Sequence, residues 1–228
     1  MNENKVLIVA AHPDDEILGC GGTVARLARE GFEAYTLILG EGITSRYDIK
    51  KESKKANREI HELRQQMLKA NGSIGIKKVF THNFPDNEFD KVSLLEIVKK
   101  VEKVKQKINP KIIFTHFKND LNIDHRKTYD AVITATRPTE DEKVKTIYSF
   151  EIQSSTEWNY PLIFSPNVFF DISKTFYKKI NAMSCYKSEL RDYPHPRSLE
   201  AIELNAKMRG LMVGLKYAEA FQLVRNNI

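Results

Sequence analysis

A histidine and three consecutive acids stand directly after an apolar run near the start of the sequence. The run ends at Ala11, and His12 is followed closely by Asp14, Asp15 and Glu16. One acid would be enough to cap a helix and to complement its dipole. Three neighbouring carboxylates repel one another, and a bound cation would offset that repulsion. Because zinc accepts a histidine nitrogen and a carboxylate oxygen, His12 and Asp15 are candidate metal ligands.

A catalytic zinc site needs a third protein ligand and an open position for water. The chain has six histidines. His125 is the best candidate, because it follows a later apolar run in the segment THFKNDLNIDHRKTYDA. His116, at the end of that run, is the rival. Both are expected at the same edge of the fold as His12, which weakens the alternative that each is an ordinary buried histidine.

Strands alternate with helices over the first two-thirds of the sequence and would position these residues. Short apolar runs predict the strands, and amphipathic segments predict the helices. The predicted strands cover residues 5–11, 32–39, 77–80, 112–115, 144–150 and 168–170, and the predicted helices cover 19–30, 51–71, 93–108, 125–136, 173–186 and 199–212. The pattern is typical of an α/β fold with a Rossmann-like, mostly parallel sheet and helices on both faces. In such sheets the ligand site lies at the carboxyl ends of the strands.

A dinucleotide site is the alternative interpretation of the first motif. Gly19, Gly21 and Gly22 form a glycine-rich turn, and Glu41 follows the second predicted strand, where a ribose-binding acid would stand. In such a site the glycines follow the strand directly, whereas here HPDDEIL intervenes. Acids beside a pyrophosphate would also repel it. We keep this interpretation as the weaker one.

Length and composition indicate one folded domain, expected to span residues 1–228. Hydrophobic residues make up 41% and charged residues 29% of the chain, which argues against disorder. The net charge of +6 comes mainly from lysines on predicted helices, and no segment resembles a nucleic-acid-binding module. We expect no membrane span and no signal peptide. The two cysteines, Cys20 and Cys185, give no disulfide framework, which fits the cytoplasm.

Four segments resemble the PIG-L/LmbE-like family, the zinc-dependent deacetylases of N-acetylglucosamine-containing compounds. AHPDDEILGCGGT, starting at Ala11, matches the first signature of that family. NDLNIDHR, starting at Asn119, matches the second. ATRP, starting at Ala135, and GLKYAEAF, starting at Gly214, also look like the family. The resemblance therefore runs nearly end to end.

The resemblance implies one zinc ion per chain, bound by His12, Asp15 and His125. It also implies that Asp14 is the general base that takes a proton from the water attacking an acetamide. The chemistry is reasonable, because zinc lowers the pKa of water toward about 7 and a carboxylate can then complete the activation. Asp14 would later return its proton to the leaving amine.

The chain departs from the family pattern at Asn122. Many members have a histidine three positions before the third ligand, usually assigned to oxyanion stabilisation or acid catalysis. An asparagine amide can donate a hydrogen bond but cannot deliver a proton at neutral pH. Either Asn122 stabilises charge while Asp14 handles the proton, or His116 moves into the role. Glu16 is expected to orient a ligand or to hold the turn, and Asp124 is expected to orient a neighbouring group.

Five residues are candidate substrate contacts. Arg58 resembles the family's substrate-binding arginine, although a solvated helix charge is nearly as good an interpretation. Asp86 and Asn87, in FPDNEF, are placed to bind sugar hydroxyls unless they serve only the turn. His195, between two prolines in YPHPRS, would line the pocket, and so would His116.

Together these features predict a zinc-dependent hydrolase that removes the acetyl group from an N-acetylglucosamine-type amino sugar or its conjugate. The conjugate would be nucleotide-, lipid- or glycan-linked. The alternatives are an amidase for another acyl amide, and a nucleotide or sugar-nucleotide binding module without catalysis. The long loop at 151–166 is either a lid or a surface connection. The apolar C-terminal half leaves a homo-oligomer open.

Overall fold

In the computed structural model, which describes residues 4–161 and 163–227, seven strands form one sheet with helices on both faces. The strands are β1 Lys5–Ala10, β2 Glu33–Gly40, β3 Ile76–Phe84, β4 Ile112–His116, β5 Thr146–Phe150, β6 Val168–Asp171 and β7 Ala218–Asn226. The helices are α1 Asp15–Arg29, α2 Ile49–Ser73, α3 Leu94–Ile108, α4 Ile123–Ala135, α5 Phe176–Met183 and α6 Leu199–Leu211.

The strand order is β3-β2-β1-β4-β5-β7-β6. The first five strands in this order are parallel to one another, and β7 is antiparallel to both β5 and β6. The prediction of a mostly parallel sheet is therefore confirmed. The chain moves outward from β1 to β2 and β3 and then returns to β4 on the other side of β1. The carboxyl ends of β1 and β4 are neighbours at this switch point, where such sheets bind ligands.

The side chains of β1 alternate between the two faces of the sheet. Val6 and Ile8 pack in the core formed with α1 and α2. Leu7 and Val9 pack in the core formed with α3 and α4. A strand buried on both faces needs apolar side chains at every position, which explains its continuous apolar sequence. This rigid strand leads almost directly into His12.

Helix α1 begins at Asp15 and not at Gly19, where the sequence pattern predicts its start. Asp15 and Glu16 therefore lie in the first helical turn, where a carboxylate interacts favourably with the helix dipole. Gly19 serves close packing, because a Cβ atom there would lie 2.4 Å from the ring of Phe150. The glycine-rich segment is thus part of a helix pressed against β5 and not a free phosphate-binding loop.

The sequence pattern does not predict β7, the strand that completes the sheet between β5 and β6. Pairing on both sides imposes the extended conformation on this segment. Glu219 of β7 accepts the backbone N–H groups of Gly22 and Thr23 at 3.0 and 2.6 Å, just beyond a kink in α1 at Cys20. Lys179 of α5 forms a buried ion pair with the same carboxylate, at 2.6 Å. Strand β7 therefore fixes the helix that carries part of the site.

Two other elements have an end that lies three or more residues from its predicted position. β3 continues to Phe84, well beyond the predicted end at residue 80, because an edge strand tolerates the polar side chains of this stretch. Helix α5 covers only Phe176–Met183 of the predicted helix at 173–186.

Candidate active site

The three predicted metal ligands converge at the carboxyl edge of the sheet. His12 lies just after β1, Asp15 opens α1, and His125 lies in the first turn of α4. Asp15 Oδ2 lies 3.5 Å from His12 Nδ1 and 3.4 Å from His125 Nε2. One ligand atom from each residue lies within 4.8 Å of the others, so a single ion could contact all three.

Two unpaired atoms in this cluster fit a cation. Asp15 Oδ1 and His125 Nε2 are buried and have no hydrogen-bond partner among the residues that the structure describes. A buried polar atom without a partner costs free energy, and coordination to a metal ion would remove that cost. Two imidazole nitrogens and one carboxylate form a donor set that suits catalytic zinc. The residues therefore fit a divalent cation.

A carboxylate orients each ligand histidine through its other ring nitrogen. His12 Nε2 lies 2.8 Å from Asp124 Oδ2, and His125 Nδ1 lies 3.0 Å from Asp120 Oδ1. A proton on those nitrogens leaves a lone pair on the two nitrogens nearest to Asp15. These contacts favour the predicted supporting role of Asp124. Sequence reasoning did not single out Asp120, although it stands in the second motif.

The surrounding carboxylates raise the pKa values of both histidines. Burial alone would lower the pKa of His125, but the charges of Asp15 and Asp120 raise it to about 9. Burial would also lower the pKa of His12, whereas its hydrogen bonds with Asp124 and Asp15 raise it well above the usual value. Burial would raise the pKa of Asp120, but the charge and hydrogen bond of His125 lower it to about 2. The same negative charge would attract a metal cation.

A second group of metal-binding side chains shares His12. Asp86 and Asp124 lie 3.2 and 2.8 Å from its Nε2 atom, and this group also meets the distance requirement for one ion. However, the Asp124 carboxylate already accepts the backbone N–H groups of Asn87 and Phe89, at 2.7 and 2.9 Å. The first group, with its two unpaired atoms, is therefore the better metal site.

Asp14 has a strained backbone, with a φ of +106° that residues other than glycine rarely adopt. Glu16 holds this turn from the inside, because its Oε2 atom accepts the backbone N–H of Asp14 at 3.0 Å. Its Oε1 atom accepts hydrogen bonds from Asn71 Nδ2, at 2.8 Å, and from the Tyr186 hydroxyl. Burial raises the pKa of Glu16 to about 7. Of the two roles expected for Glu16, these contacts favour holding the turn.

The Asp14 side chain lines a small cleft of about 110 Å³. Asp86, Asn87 and Asn122 line the same cleft, as the sequence predicts for substrate contacts and a catalytic residue. Burial raises the pKa of Asp14 well above its usual value, and the charge of Arg197 opposes that shift. Arg197 Nη1 lies 3.0 Å from Asp14 Oδ2.

Asn122 has a protein partner on each side of its amide. Its Oδ1 atom accepts the backbone N–H of Asp124 at 2.8 Å and caps helix α4. Its Nδ2 atom donates to Asn87 Oδ1 at 2.9 Å, and Asn87 donates in turn to Ser45 Oγ at 3.2 Å. Polar side chains from three loops therefore form one wall of the cleft.

Neither Arg58 nor His195 reaches the cleft. Arg58 is exposed on α2, so the structure favours the alternative of a solvated helix charge. The His195 ring lies against Trp158, with centroids 5.8 Å apart, and its Nδ1 atom accepts the backbone N–H of Arg197 at 3.1 Å. His195 therefore shapes the loop that carries Arg197. Contrary to the prediction, it does not line the pocket.

His116 is buried behind the ligands and does not line the cleft. Its ring stacks on His125 with centroids 4.0 Å apart, and its Nε2 atom accepts the backbone N–H of Ala11 at 2.9 Å. The prediction of a substrate contact at His116 is corrected for this reason: the residue lies inside the wall. It also lies outside the set of three atoms that converge on one ion.

Three charged residues of the cleft are not predicted from the sequence: Arg46, Glu189 and Arg197. Arg46 Nη2 lies 2.8 Å from Glu189 Oε2, and Arg197 Nη1 lies 3.4 Å from the same oxygen. None of the three belongs to a motif with recognisable spacing. The YPHPRS segment contains Arg197, but only the histidine of that segment is a candidate pocket residue from the sequence.

The described parts of the loop, residues 151–161 and 163–166, support the site and do not line the cleft. Ser155 Oγ and Thr156 Oγ1 donate to the Asp120 carboxylate and so help to orient His125. Trp158 and Tyr160 are exposed and do not line the cleft. Of the two interpretations of this loop, the structure favours a surface connection over a lid.

The carboxylate of Glu41, the candidate ribose-binding acid, is engaged in hydrogen bonds within the protein. Its carboxylate accepts the backbone N–H groups of Ile43 at 2.7 Å, Thr44 at 3.1 Å and Asp86 at 3.1 Å. It therefore ties the loop after β2 to the loop after β3. Together with the packed Gly19, this contact contradicts the dinucleotide interpretation.

Comparisons with known proteins agree with the resemblance. The model of the family described as PIG-L: GlcNAc-PI de-N-acetylase matches residues 7–136. A probable N-acetyl-alpha-D-glucosaminyl L-malate deacetylase 2 from Bacillus cereus is 30% identical over 82% of this chain and 84% of its own. Diacetylchitobiose deacetylase from Thermococcus kodakarensis is 26% identical over 96% of this chain and 83% of its own.

Solved structures show the same fold. N,N'-diacetylchitobiose deacetylase from Pyrococcus horikoshii matches with a TM-score of 0.77 and 21% identity, over 98% of this chain and 85% of its own. GalB, a 4-carboxy-2-hydroxymuconate hydratase from Pseudomonas putida, matches with a TM-score of 0.73 and 20% identity, over 99% of this chain and 98% of its own. The fold alone therefore does not fix the reaction.

No helix among residues 4–161 and 163–227 combines the length and apolar character that a membrane crossing requires. The family model covers more than half of the chain, and the Bacillus cereus relative aligns with most of it. The chain belongs to the PIG-L family.

Proposed function

We propose that this chain is a metal-dependent N-deacetylase that removes the acetyl group from an N-acetylglucosamine-type amino sugar or its conjugate. The observation that carries the proposal is a carboxylate at the cleft, Asp14, directly beside the convergent ligands His12, Asp15 and His125. A protein that only bound its ligand would have no chemical need for that carboxylate. Membership of the PIG-L family supports the same reaction class.

We propose zinc as the ion, one per chain, held by His12, Asp15 and His125. When bound, zinc would lower the pKa of a water molecule and polarise the acetamide carbonyl. Asp120 and Asp124 would keep the two histidines in the tautomers that leave a lone pair toward Asp15. The compartment we expect is the cytoplasm.

Asp14 would carry the proton through the reaction. Its Oδ2 atom is held by Arg197, and its Oδ1 atom would take the proton that the attacking water loses. The water oxygen forms a bond to the acetamide carbon, and the C–N bond breaks. Asp14 then gives its proton to the departing nitrogen, so that acetate and the free amino sugar leave.

We assign both proton steps to Asp14, because the alternative group, His116, is walled off from the cleft behind His125. Asn122 lies at the cleft and cannot deliver a proton. Its amide would donate a hydrogen bond to the carbonyl oxygen as negative charge develops there. This division of roles follows the first of the two options that the sequence leaves open.

Asp86 and Asn87 are the proposed contacts to sugar hydroxyls, since both line the cleft. The names of the two sequence relatives describe N-acetylglucosamine linked to malate and a chitobiose, both small glycosides. We therefore propose a small N-acetylglucosamine glycoside as the substrate of this chain. An amidase for another acyl amide is the outcome that a broad substrate panel would reveal.

Metal removal tests the proposed function. The purified chain is expected to hold about one zinc per molecule by elemental analysis, and to release acetate from members of an N-acetylglucosamine glycoside panel. Chelation should abolish acetate release, and zinc should restore it, with magnesium as the control ion, since magnesium prefers an all-oxygen octahedral site. A chain that neither binds zinc nor releases acetate would overturn the proposal.

A further inference from the structure

We propose that Arg197 is a positioning residue for Asp14, holding one carboxylate oxygen so that the other faces the cleft. This inference rests on the proposed function, in which Asp14 carries the proton. The two residues are 183 positions apart, and their side chains meet at 3.0 Å between Nη1 and Oδ2. Among the residues that the structure describes, the hydrogen bond to the Asp14 carboxylate ends on Oδ2, and none ends on the opposite oxygen, Oδ1. One oxygen is therefore fixed while the other remains available for a proton.

Arg197 is itself held in place at two other points. Its Nε atom donates to Ser154 Oγ at 2.8 Å, and its Nη1 atom lies 3.4 Å from Glu189 Oε2. Glu189 is buried and is fixed from the far side by Arg46 Nη2, at 2.8 Å. The planar guanidinium is rigid, so contacts on Nε and Nη1 together set the direction of the hydrogen bond to Asp14.

The backbone and the carboxylate of Asp14 are held by different partners. Glu16 accepts the backbone N–H within the strained turn, whereas Arg197 binds the end of the side chain. Without Arg197 the carboxylate could rotate about its side-chain torsions while the turn stayed in place. A displaced proton acceptor slows the chemical step more than it weakens substrate binding.

A merely structural role for Arg197 makes a different prediction. In that case the ion pair would only fasten the segment from Glu189 to Arg197 onto the rest of the fold. Loss of the arginine would then lower stability and act independently of Asp14. A positioning role requires that the effect on turnover disappear when Asp14 can no longer accept a proton.

The test compares R197M and R197K with R191M, which removes an exposed arginine of the same segment. Its side-chain hydrogen bonds within the described chain go to the backbone carbonyls of Ser188 and Leu190. In R197M, kcat should fall about 100-fold, while KM should change less than about threefold and zinc content should be unchanged. R197K should retain part of the wild-type rate. Added guanidinium ion should restore part of that rate to R197M. R191M should behave as the wild type. R197M with a near-normal kcat would overturn the proposal.

A double-variant cycle separates the two roles. In a D14N background, adding R197M should lower the residual rate by less than about threefold. A loss as large as that in the wild-type background would mean that Arg197 does not act through Asp14, and would overturn the proposal. Thermal melting of every variant identifies those that fail to fold, and R197K serves where R197M does not fold.

Crystal structures of the wild type and R197M provide a measurement that needs no substrate. The Asp14 carboxylate should be turned away from its wild-type direction in R197M, with the backbone of residues 12–16 unchanged. An unchanged carboxylate would overturn the positioning role. If the wild type releases no acetate from any substrate, the proposed function fails, and this structural comparison still decides whether Arg197 positions Asp14.

Discussion

Two regions of very different origin build the cleft. The ligand edge, which comprises His12, Asp15 and His125, comes from the loop after β1 and from the first turns of α1 and α4, at the switch point of the sheet. The C-terminal arm, residues 186–198, comes from an irregular segment far along the chain and contributes Glu189 and Arg197. The ligand edge collects the atoms that fit a metal ion. In the part of the chain that the structure describes, no hydrogen bond links the arm to any of the three ligands. The arm contacts Asp14 instead.

The difference suggests a division of labour between metal binding and proton transfer. A change at the ligand edge should weaken metal binding, and activity should fall with it. A change in the arm should lower turnover while the metal remains bound. Variants of each kind can therefore test whether the two roles are separate.

The greatest loss of stability is expected for E219A, which removes a support shared by both regions. Glu219 fixes α1, which carries Asp15, and it pairs with Lys179 of α5, the helix that precedes the arm. Alanine would leave the Lys179 charge buried and unpaired, so the free energy of unfolding should fall by about 3–5 kcal/mol. Denaturant titration measures this change. E200A, at an exposed position of α6, should stay within about 0.5 kcal/mol. A loss below about 1 kcal/mol for E219A would contradict the assigned role.

D120A tests the ligand edge alone. Loss of the carboxylate behind His125 should weaken zinc affinity about 10- to 100-fold, because the ring is no longer held in the ligating orientation. Competition with a chromogenic chelator measures the affinity, and D130A, at an exposed position of α4, is the matched control. Saturating zinc should restore most of the turnover of D120A, in contrast with R197M, which should stay slow at any zinc concentration. The comparison of the two regions fails if both variants respond to zinc in the same way.

Short-range spacing explains what sequence reasoning could predict. His12 and Asp15 lie three positions apart after a strongly apolar strand, and the alternation of elements indicates that His125 belongs at the same sheet edge. The fold class follows from the same alternation. Asp86 and Asn87 also reach the cleft, because their loop follows β3 at that edge.

Long-range packing explains what sequence reasoning missed. A single arginine far from Asp14 carries no periodicity or spacing that marks it, so only the fold brings Arg197 to the site. Strand β7 depends on its partners β5 and β6 for its conformation. His116 stands beside the motif in sequence, but a strand-end side chain can point into the wall as well as into the cleft. Arg58 lies on a helix whose exposed face cannot be recognised from the local sequence.

The most direct test of the account is D14N, assayed for zinc content and for acetate release, with D141N at an exposed loop position as the control. The change keeps the size of the side chain and removes its ability to accept a proton. We expect about one zinc per chain in both variants, normal turnover in D141N, and a loss of about 100- to 10,000-fold in kcat for D14N. Normal turnover in zinc-loaded D14N would contradict the central claim that Asp14 carries the proton.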